Sequence, residues 1–401
     1  MIILFISSGL FLGWSLGAND AGNIFGAAVG TRMVSFTKAA VIASVFVILG
    51  AVIQGAGASN TLGHLGSVNA LGGAFTVALS AGLAVYLMTK AALPVSSTQA
   101  IVGAIIGWNL FTDNTVDTKS LTKIVVTWFT GPMLGAAFAY ILYHLVKISR
   151  KRIKVHILSY ESYIKTGLII VGAFGAYSLG ANNIANVMGV FVPSIQLENA
   201  SFGIFTLTGS QQLFLLGGIA IAAGIVTYSK KVIETVGNNL LELSSEAALV
   251  VVLAQALVLF IFSSSWLSNL FIKIGLPPIP LVPVSSTQVI VGAIVGVGLY
   301  KGMRNINLKV LGGIASGWIT TPVAAGLLSF FLLFFVKNLF GIDVGHSVRP
   351  ASVAVNDGTS TGTIIKYSII FLLIITAVSL VYMIMSEREK TKKLNSGKSL
   401  R

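Results

Sequence analysis

The chain has 401 residues, of which 55% are hydrophobic and only 9% are charged. A soluble domain carries roughly 25% charged residues, so this composition excludes a water-soluble globular protein and indicates a helical membrane protein with several spans. The absence of cysteine excludes disulfides, thiolate metal sites and cysteine nucleophiles. The net charge of +14 does not indicate nucleic-acid binding, because the basic residues lie between apolar segments or in the tail.

Eleven apolar stretches are long enough to cross a bilayer, which takes roughly 20 residues each. In chain order they lie near 1–28, 39–59, 71–93, 94–111, 121–147, 162–192, 204–229, 247–272, 281–300, 308–340 and 363–385. With the N-terminus outside, most lysines and arginines fall in inner loops, as the positive-inside rule requires. This predicts a multi-pass plasma-membrane protein with a cytoplasmic C-terminus. Loop charge leaves open whether 71–111 and 247–300 cross fully or form re-entrant hairpins.

Two segments of the chain occur twice. The segment 16–23 (LGANDAGN) recurs at 179–186 (LGANNIAN), and 94–110 recurs at 283–299 with 13 of 17 residues identical. Five predicted spans precede the second copy, an odd number, so the two halves should point oppositely through the membrane. This is the inverted-repeat plan of secondary transporters, which bind their substrates near the membrane midplane between the repeats.

The repeats predict the domain organisation. The fold class is an all-α polytopic membrane protein with inverted-topology repeats and broken helices or re-entrant hairpins. The predicted parts are a first inverted repeat at 1–147 (transport core plus scaffold spans), a basic cytoplasmic loop at 148–161, a second inverted repeat at 162–340, an extra C-terminal span at 358–386 and a basic cytoplasmic tail at 387–401.

The first motif carries one acidic residue within an apolar stretch, Asp20. A carboxylate there costs at least ~2.5–3.5 kcal/mol unless it is paired or hydrated, so it is a functional candidate by default. The alternative is that Gly17 and Gly22 allow tight packing while Asp20 caps a broken helix. We favour the functional interpretation, because the second copy keeps the motif's flanking asparagines but has Asn183 at the position of Asp20.

The second motif, Pro-Val-Ser-Ser-Thr-Gln, is typical of a helix start. Proline has no N–H to lose there, and serine or threonine can cap the first turn. The first amides and the helix dipole then favour an anion beyond the helix end. Serine and threonine often bond back within their own helix, but two near-identical copies in opposed halves favour a shared anion site.

At these residues the chain resembles the inorganic phosphate transporter (PiT) family. Its hallmark is a GAND-type motif repeated in inverted halves, each followed by a PVSST-type segment, and the resemblance covers residues 16 to about 325. It implies a symporter that moves phosphate with a cation, commonly as a homodimer. The second copy reads GANN where many members repeat the acid, which leaves one carboxylate within the membrane.

The resemblance implies a set of site residues on this sequence. The predicted phosphate ligands are Asp20, Asn23, Ser97, Thr98, Asn186, Ser286 and Thr287. The predicted sodium ligands are Asp20, Asn19, Asn23, Gln99, Asn182, Asn183, Asn186, Ser96, Ser285 and Gln288. Asp20 belongs to both sets because it can help neutralise a cation and can accept the O–H that phosphate carries and sulfate lacks.

The predicted function is the import of inorganic phosphate coupled to sodium by alternating access. Sodium suits oxygen ligands from amides, hydroxyls and freed carbonyls, whereas proton coupling would require Asp20 to titrate. A proton- or metal-coupled phosphate symporter and a sulfate or oxyanion permease stay open as alternatives. An anion channel would need a continuous polar or basic pore lining, and no basic residue lies at mid-span in either repeat. The apolar region also lacks the motifs of an ATPase or a hydrolase. We therefore expect no enzymatic activity, no cofactor and no nucleic-acid partner; the expected partners are phosphate, sodium, the lipid bilayer and a second copy of the chain.

Overall fold

The computed structural model describes residues 2–66, 68–90, 95–152, 156–201, 206–230, 243–302 and 308–345. The predicted C-terminal span at 358–386 and the tail at 387–401 lie outside the described residues. Twelve α-helices and one short β-hairpin make up the described part of the chain.

The first seven helices are α1 (Ile2–Gly30), α2 (Phe36–Gln54), α3 (Ala56–Gly66), α4 (Leu71–Lys90), α5 (Ser97–Thr112), α6 (Thr118–Arg152) and α7 (Ile157–Met188). The strands β1 (Ala200–Ser201) and β2 (Thr206–Leu207) pair antiparallel, with Ala200 opposite Leu207. The remaining helices are α8 (Gly209–Thr227), α9 (Ser245–Ser263), α10 (Ser265–Lys273), α11 (Ser286–Tyr300) and α12 (Leu308–Phe340).

Eight of these helices are long and apolar enough to cross a membrane: α1, α2, α4, α6, α7, α8, α9 and α12. This confirms the predicted class of a helical protein with many spans. The stretches predicted at 94–111 and 281–300 contain the shorter helices α5 and α11, of 16 and 15 residues. At 1.5 Å per residue these are about 24 and 22 Å long, less than the ~30 Å hydrocarbon core. Neither is therefore long enough to cross as a straight helix.

The helices of the two halves pack against one another reciprocally. Helix α1 packs on α8 and α7 packs on α2, while α5 packs on α12 and α11 packs on α6. Since α1 and α7 carry the two copies of the first motif, and α5 and α11 the two copies of the second, each half supplies the packing partner of the other. The halves are interleaved and do not form separate lobes.

Two glycines at equivalent repeat positions allow the closest of these crossings. A Cβ on Gly103 of α5 would collide with the carbonyl oxygen of Pro322 in α12. A Cβ on Gly292 of α11 would collide in the same way with the carbonyl oxygen of Pro132 in α6. Small residues let helix backbones approach this closely in membrane proteins. The same contact is thus made twice with the halves exchanged, as homologous repeats require; their opposite orientation in the membrane stays a prediction.

The basic segment predicted as a loop at 148–161 is largely helical. Helix α6 continues to Arg152 and α7 begins at Ile157. Glu246 at the start of α9 forms salt bridges with Lys147 and Arg150 of α6. These ion pairs stabilise the basic segment as a continuation of the helix. The pairing fixes the last turns of α6 beside α9, where a loop was expected.

Candidate functional site

The first motif lies within uninterrupted helices in both of its copies. Helix α1 runs from Ile2 to Gly30 and α7 from Ile157 to Met188, so each motif occupies a continuous helical segment. The alternative that Asp20 caps a broken helix is therefore wrong. Asp20 is fully buried, and its neighbours on the same turns of α1 are buried as well. A fully buried carboxylate requires hydrogen-bond donors around it.

Three neutral side chains donate to the carboxylate of Asp20. Its Oδ1 accepts from Asn19 Nδ2 at 2.9 Å, and its Oδ2 accepts from Asn183 Nδ2 at 2.6 Å. The hydroxyl of Ser286 donates to the same Oδ2 at 3.1 Å. These donors come from α1, α7 and α11, so the carboxylate lies where three helices meet. They stabilise the charge through dipoles and do not cancel it, which leaves the site attractive to a cation.

The other motif asparagines contact the threonines of the opposite half. Asn186 Nδ2 of α7 donates to Thr98 Oγ1 of α5 at 3.0 Å. Asn23 Nδ2 of α1 lies 3.4 Å from Thr287 Oγ1 and 3.5 Å from Ser286 Oγ, both of α11. Each first motif therefore contacts the second motif of the other repeat. The structure brings all four motif copies together at one place, as the repeat pattern predicts.

The second motif begins a helix in both copies, as predicted. Ser96 is the N-cap of α5, and its hydroxyl accepts from Gln99 N at 3.2 Å. Ser285 is the N-cap of α11, and its hydroxyl accepts from Gln288 N at 3.3 Å. Both capping serines were predicted as sodium ligands; here each hydroxyl satisfies one of the helix amides that would otherwise lack a partner.

The N-terminal ends of α5 and α11 are also hydrogen-bonded to each other. Thr98 Oγ1 donates to the carbonyl of Val284 at 3.4 Å, and Thr287 Oγ1 donates to the carbonyl of Val95 at 2.9 Å. Val95 and Val284 occupy equivalent positions just before α5 and α11. A shared anion site requires the two helix N-termini to meet, and this reciprocal pair of bonds shows that they do. Their depth in the membrane stays a prediction.

Asn182 has a contact that the sequence did not predict. Its Nδ2 donates to the carbonyl of Val284 at 2.8 Å, and its Oδ1 accepts from the amide of Val284 at 2.7 Å. Both ends of the side-chain amide thus bind the backbone of one residue and fix the segment that leads into α11. Its repeat equivalent Asn19 differs, since its Oδ1 accepts from Thr89 Oγ1 at 3.4 Å. No pattern in the sequence singled out Thr89 or distinguished these two asparagines.

Three buried side-chain oxygens near the helix starts lack a hydrogen-bond donor among the described residues: Gln99 Oε1, Gln288 Oε1 and Asn186 Oδ1. Buried polar atoms are nearly always satisfied, so each of these calls for a partner. Amide oxygens are hard ligands of the kind that alkali and alkaline-earth cations prefer. The predicted ligand Ser97 is also buried, in the first turn of α5. Together the motifs provide one negative charge, several hydroxyl donors and three free acceptors.

Apolar helices surrounding a buried polar centre that is built from repeated motifs are the architecture of a multi-pass membrane transporter. Residues 16–329 of this chain match the model of the phosphate transporter family, and the chain belongs to that family. The match confirms the resemblance found in the motifs. It also confirms that the protein is a transporter and not an enzyme.

Several relatives are similar over most of their length. A protein of Pyrococcus furiosus named "Putative phosphate permease" is 25% identical over an alignment of 416 positions, gaps included, that covers 85% of this chain and 97% of that protein. A protein of the same description in Methanocaldococcus jannaschii is 28% identical over 323 residues, covering 80% of this chain and 93% of the relative. The chain therefore spans nearly the whole length of these relatives.

One solved structure shares the fold. It is described as "The sodium-dependent phosphate transporter" and superposes with a TM-score of 0.66 at 22% sequence identity. The similarity covers 84% of this chain and 98% of the other. The helical arrangement described above is thus one adopted by an experimentally determined membrane protein.

Proposed function

We propose that this protein imports inorganic phosphate together with sodium by alternating access. The observation that carries the proposal is the position of Asp20, a fully buried carboxylate at the meeting point of two capped helix N-termini. Membership of the phosphate transporter family supports phosphate as the substrate. The description of the similar solved structure as sodium-dependent supports sodium as the coupling ion.

Phosphate recognition rests on donors from four segments and one acceptor. The first-turn hydroxyls of α5 and α11 and the free amides of both helices can donate to phosphate oxygens, and the dipoles of both helices favour an anion there. Asp20 accepts from the phosphate O–H, which sulfate lacks. The proposed ligands are Asp20, Asn23, Ser97, Thr98, Asn186, Ser286 and Thr287.

Sodium binding rests on the unsatisfied oxygens beside that site. The side-chain oxygens of Gln99, Gln288 and Asn186 are buried and without donors in the described part of the chain. A sodium ion would satisfy them and would compensate the charge of Asp20 and of the incoming phosphate. The remaining members of the proposed set are Asn19, Asn23, Asn182, Asn183, Ser96 and Ser285, of which Asn182 and the two serines already hold backbone groups.

Alternating access follows from the repeat architecture. In inverted-repeat transporters one repeat or bundle moves against the other around a fixed central site. Because the halves are interleaved, we assign the moving unit to a transport core drawn from both repeats, at 1–147 and 162–340, and the fixed frame to their scaffold spans. We place the N-terminus outside a plasma membrane on the basis of loop charge. We further propose that the protein acts as a homodimer, as the family resemblance implies.

The direct test is radiolabelled phosphate uptake into proteoliposomes. Uptake should require an inward sodium gradient, should persist when the pH is equal on both sides, and should resist an excess of sulfate. Protein-free liposomes provide the background. Uptake driven by a pH gradient and indifferent to sodium would establish proton coupling in its place. Equal competition by sulfate would indicate a general oxyanion permease, and a requirement for divalent metal would indicate a metal–phosphate complex as the substrate.

A further inference from the structure

Two lysines converge on one buried tyrosine at the end of α6. The ammonium of Lys147 lies 5.1 Å from the centre of the Tyr143 ring, and that of Lys301, just past α11, lies 5.4 Å from the same centre. Tyr143 is only 3% exposed, so its ring is a fixed platform. Cations are attracted to an aromatic face within about 6 Å. We call Lys147, Arg150, Lys301, Tyr143 and Tyr300 the basic patch.

The acidic charge beside the basic patch is already shared. Glu246 binds Lys147 at 2.6 Å and Arg150 at 2.8 Å, and it also accepts from Tyr160 OH at 2.7 Å. One carboxylate therefore serves two cations. Lys301 takes part in neither salt bridge and has no carboxylate partner within the described residues. The basic patch thus keeps an excess of positive charge that an added anion would compensate.

An apolar surface runs along α6 directly to the basic patch. Phe129, Met133 and Ile141 are 67%, 69% and 54% exposed on this helix, as expected of a face in contact with lipid chains. The face leads into the patch through Tyr140, whose ring packs edge-on against Tyr300 at 5.4 Å. At the same place His144 Nδ1 lies 3.3 Å from the hydroxyl of Tyr300. Apolar surface followed by aromatic and basic groups matches the order of chemistry along a phospholipid.

We propose that the basic patch binds the headgroup of an acidic phospholipid whose acyl chains lie along the exposed face of α6. Among the described residues Lys301 has no carboxylate partner and Arg150 shares one with Lys147. This excess of positive charge selects an anionic headgroup over a zwitterionic one. This site involves none of the residues proposed to bind phosphate or sodium, so it adds a lipid-binding function to the transporter.

The test measures lipid binding to the purified full-length protein in neutral detergent. The thermal unfolding midpoint is followed while short-chain phosphatidylglycerol or phosphatidylcholine is added, with inorganic phosphate held at a fixed saturating concentration to keep the transport site constant. Lys301→Gln should weaken the apparent affinity for phosphatidylglycerol about fivefold, the effect of one basic residue at an anionic surface. Added salt should reduce this difference, and Lys301→Arg should restore wild-type affinity.

Lys337→Gln is the matched control, because this substitution removes the same charge from a lysine outside the basic patch. Lys337 lies over a single ring, that of Phe111, at 5.7 Å. It should leave the affinity unchanged. Equal affinities in the Lys301→Gln and Lys337→Gln variants would overturn the proposal, as would equal binding of the two lipids by the wild type. If soluble glycerol phosphate raised the thermal unfolding midpoint as much as phosphatidylglycerol does, the basic patch would be assigned to a soluble anion and not to a lipid. Because binding is measured without transport, these outcomes are independent of the coupling ion.

Discussion

Asp20 and Asn183 occupy the same position in the two copies of the first motif, and they are hydrogen-bonded to each other. Asn183 Nδ2 donates to Asp20 Oδ2 at 2.6 Å. The two repeats thus meet at equivalent residues, one charged and one neutral. An amide can donate to a carboxylate, whereas a second carboxylate at this distance would repel it. The exchange of acid for amide in the second copy therefore creates a favourable contact at the centre of the site.

The first prediction concerns the charge of Asp20. Asp20→Asn keeps the size of the side chain but removes the group proposed to balance sodium and to accept the phosphate O–H. We expect coupled uptake to fall nearly to background, and the residual uptake to lose both its sodium dependence and its preference for phosphate over sulfate. Uptake into proteoliposomes, measured against sodium concentration and then with sulfate competitor, checks both. Retention of both properties would make Asp20 a structural residue.

A double variant provides the control for this prediction. Asp20→Asn combined with Asn183→Asp restores one carboxylate and one amide with their positions exchanged. Asn182 Nδ2 already donates to Asn183 Oδ1 at 2.9 Å, as Asn19 Nδ2 does to Asp20 Oδ1 at 2.9 Å. We therefore expect the double variant to recover part of the phosphate uptake lost in Asp20→Asn. If the double variant recovers no phosphate uptake, the carboxylate functions only at the position of Asp20 in α1.

The second prediction separates two equivalent serines. Ser286 donates to Asp20 Oδ2 at 3.1 Å, whereas the residue that corresponds to Asp20 in the repeat opposite Ser97 is the neutral Asn183. A hydrogen bond to a charged group is worth about 1.5–3 kcal/mol. We expect Ser286→Ala and Ser97→Ala each to weaken phosphate binding by roughly one to two decades, with the larger loss at Ser286. Phosphate titration by calorimetry checks the order, and unchanged affinity in both variants would reassign these serines to helix packing.

Much of the central site could be predicted from the repeated motifs. Residue type alone marks Asp20, because an acid within an apolar span requires partners, and the near-identity of 94–110 and 283–299 marks the two helix starts. The repeat pattern then implies that the four segments converge. Each step depends on local chemistry or on symmetry, and both can be read in the sequence.

Contacts between specific partners could not be predicted in this way. Nothing in the sequence indicates that Asn182 binds the backbone of Val284 while Asn19 accepts from Thr89, because the two asparagines have the same local motif. The helical end of α6 was also missed. Its run of basic residues is typical of an inner loop, and the residue that pairs with it in the structure is Glu246, which is 96 residues from Arg150 along the chain.

The third prediction concerns the unsatisfied amide oxygens of Gln99 and Gln288. Gln99→Leu and Gln288→Leu remove these oxygens while keeping most of the side-chain volume. If they bind sodium, the sodium concentration for half-maximal uptake should rise by roughly tenfold, the loss of about one charge-assisted contact. Gln255→Leu is the matched control, since Gln255 of α9 is also buried and has no hydrogen-bond partner among the residues that the structure describes, but lies outside the four motif segments. An equal effect in all three variants would point to packing and away from sodium binding.

The fourth prediction tests the close helix crossings that hold the motifs in place. Gly292→Ala puts a Cβ against the carbonyl oxygen of Pro132, a backbone atom that cannot rotate away. Overpacking of this kind costs about 1–3 kcal/mol, so the thermal unfolding midpoint in detergent should fall. Gly312→Ala is the control, because Gly312 of α12 has open space around its Cβ position. Alanine is the better helix former by about 0.5–1 kcal/mol, so this variant should unfold at the same temperature or higher. A midpoint for Gly292→Ala equal to that of the control would show that α6 and α11 can separate without cost.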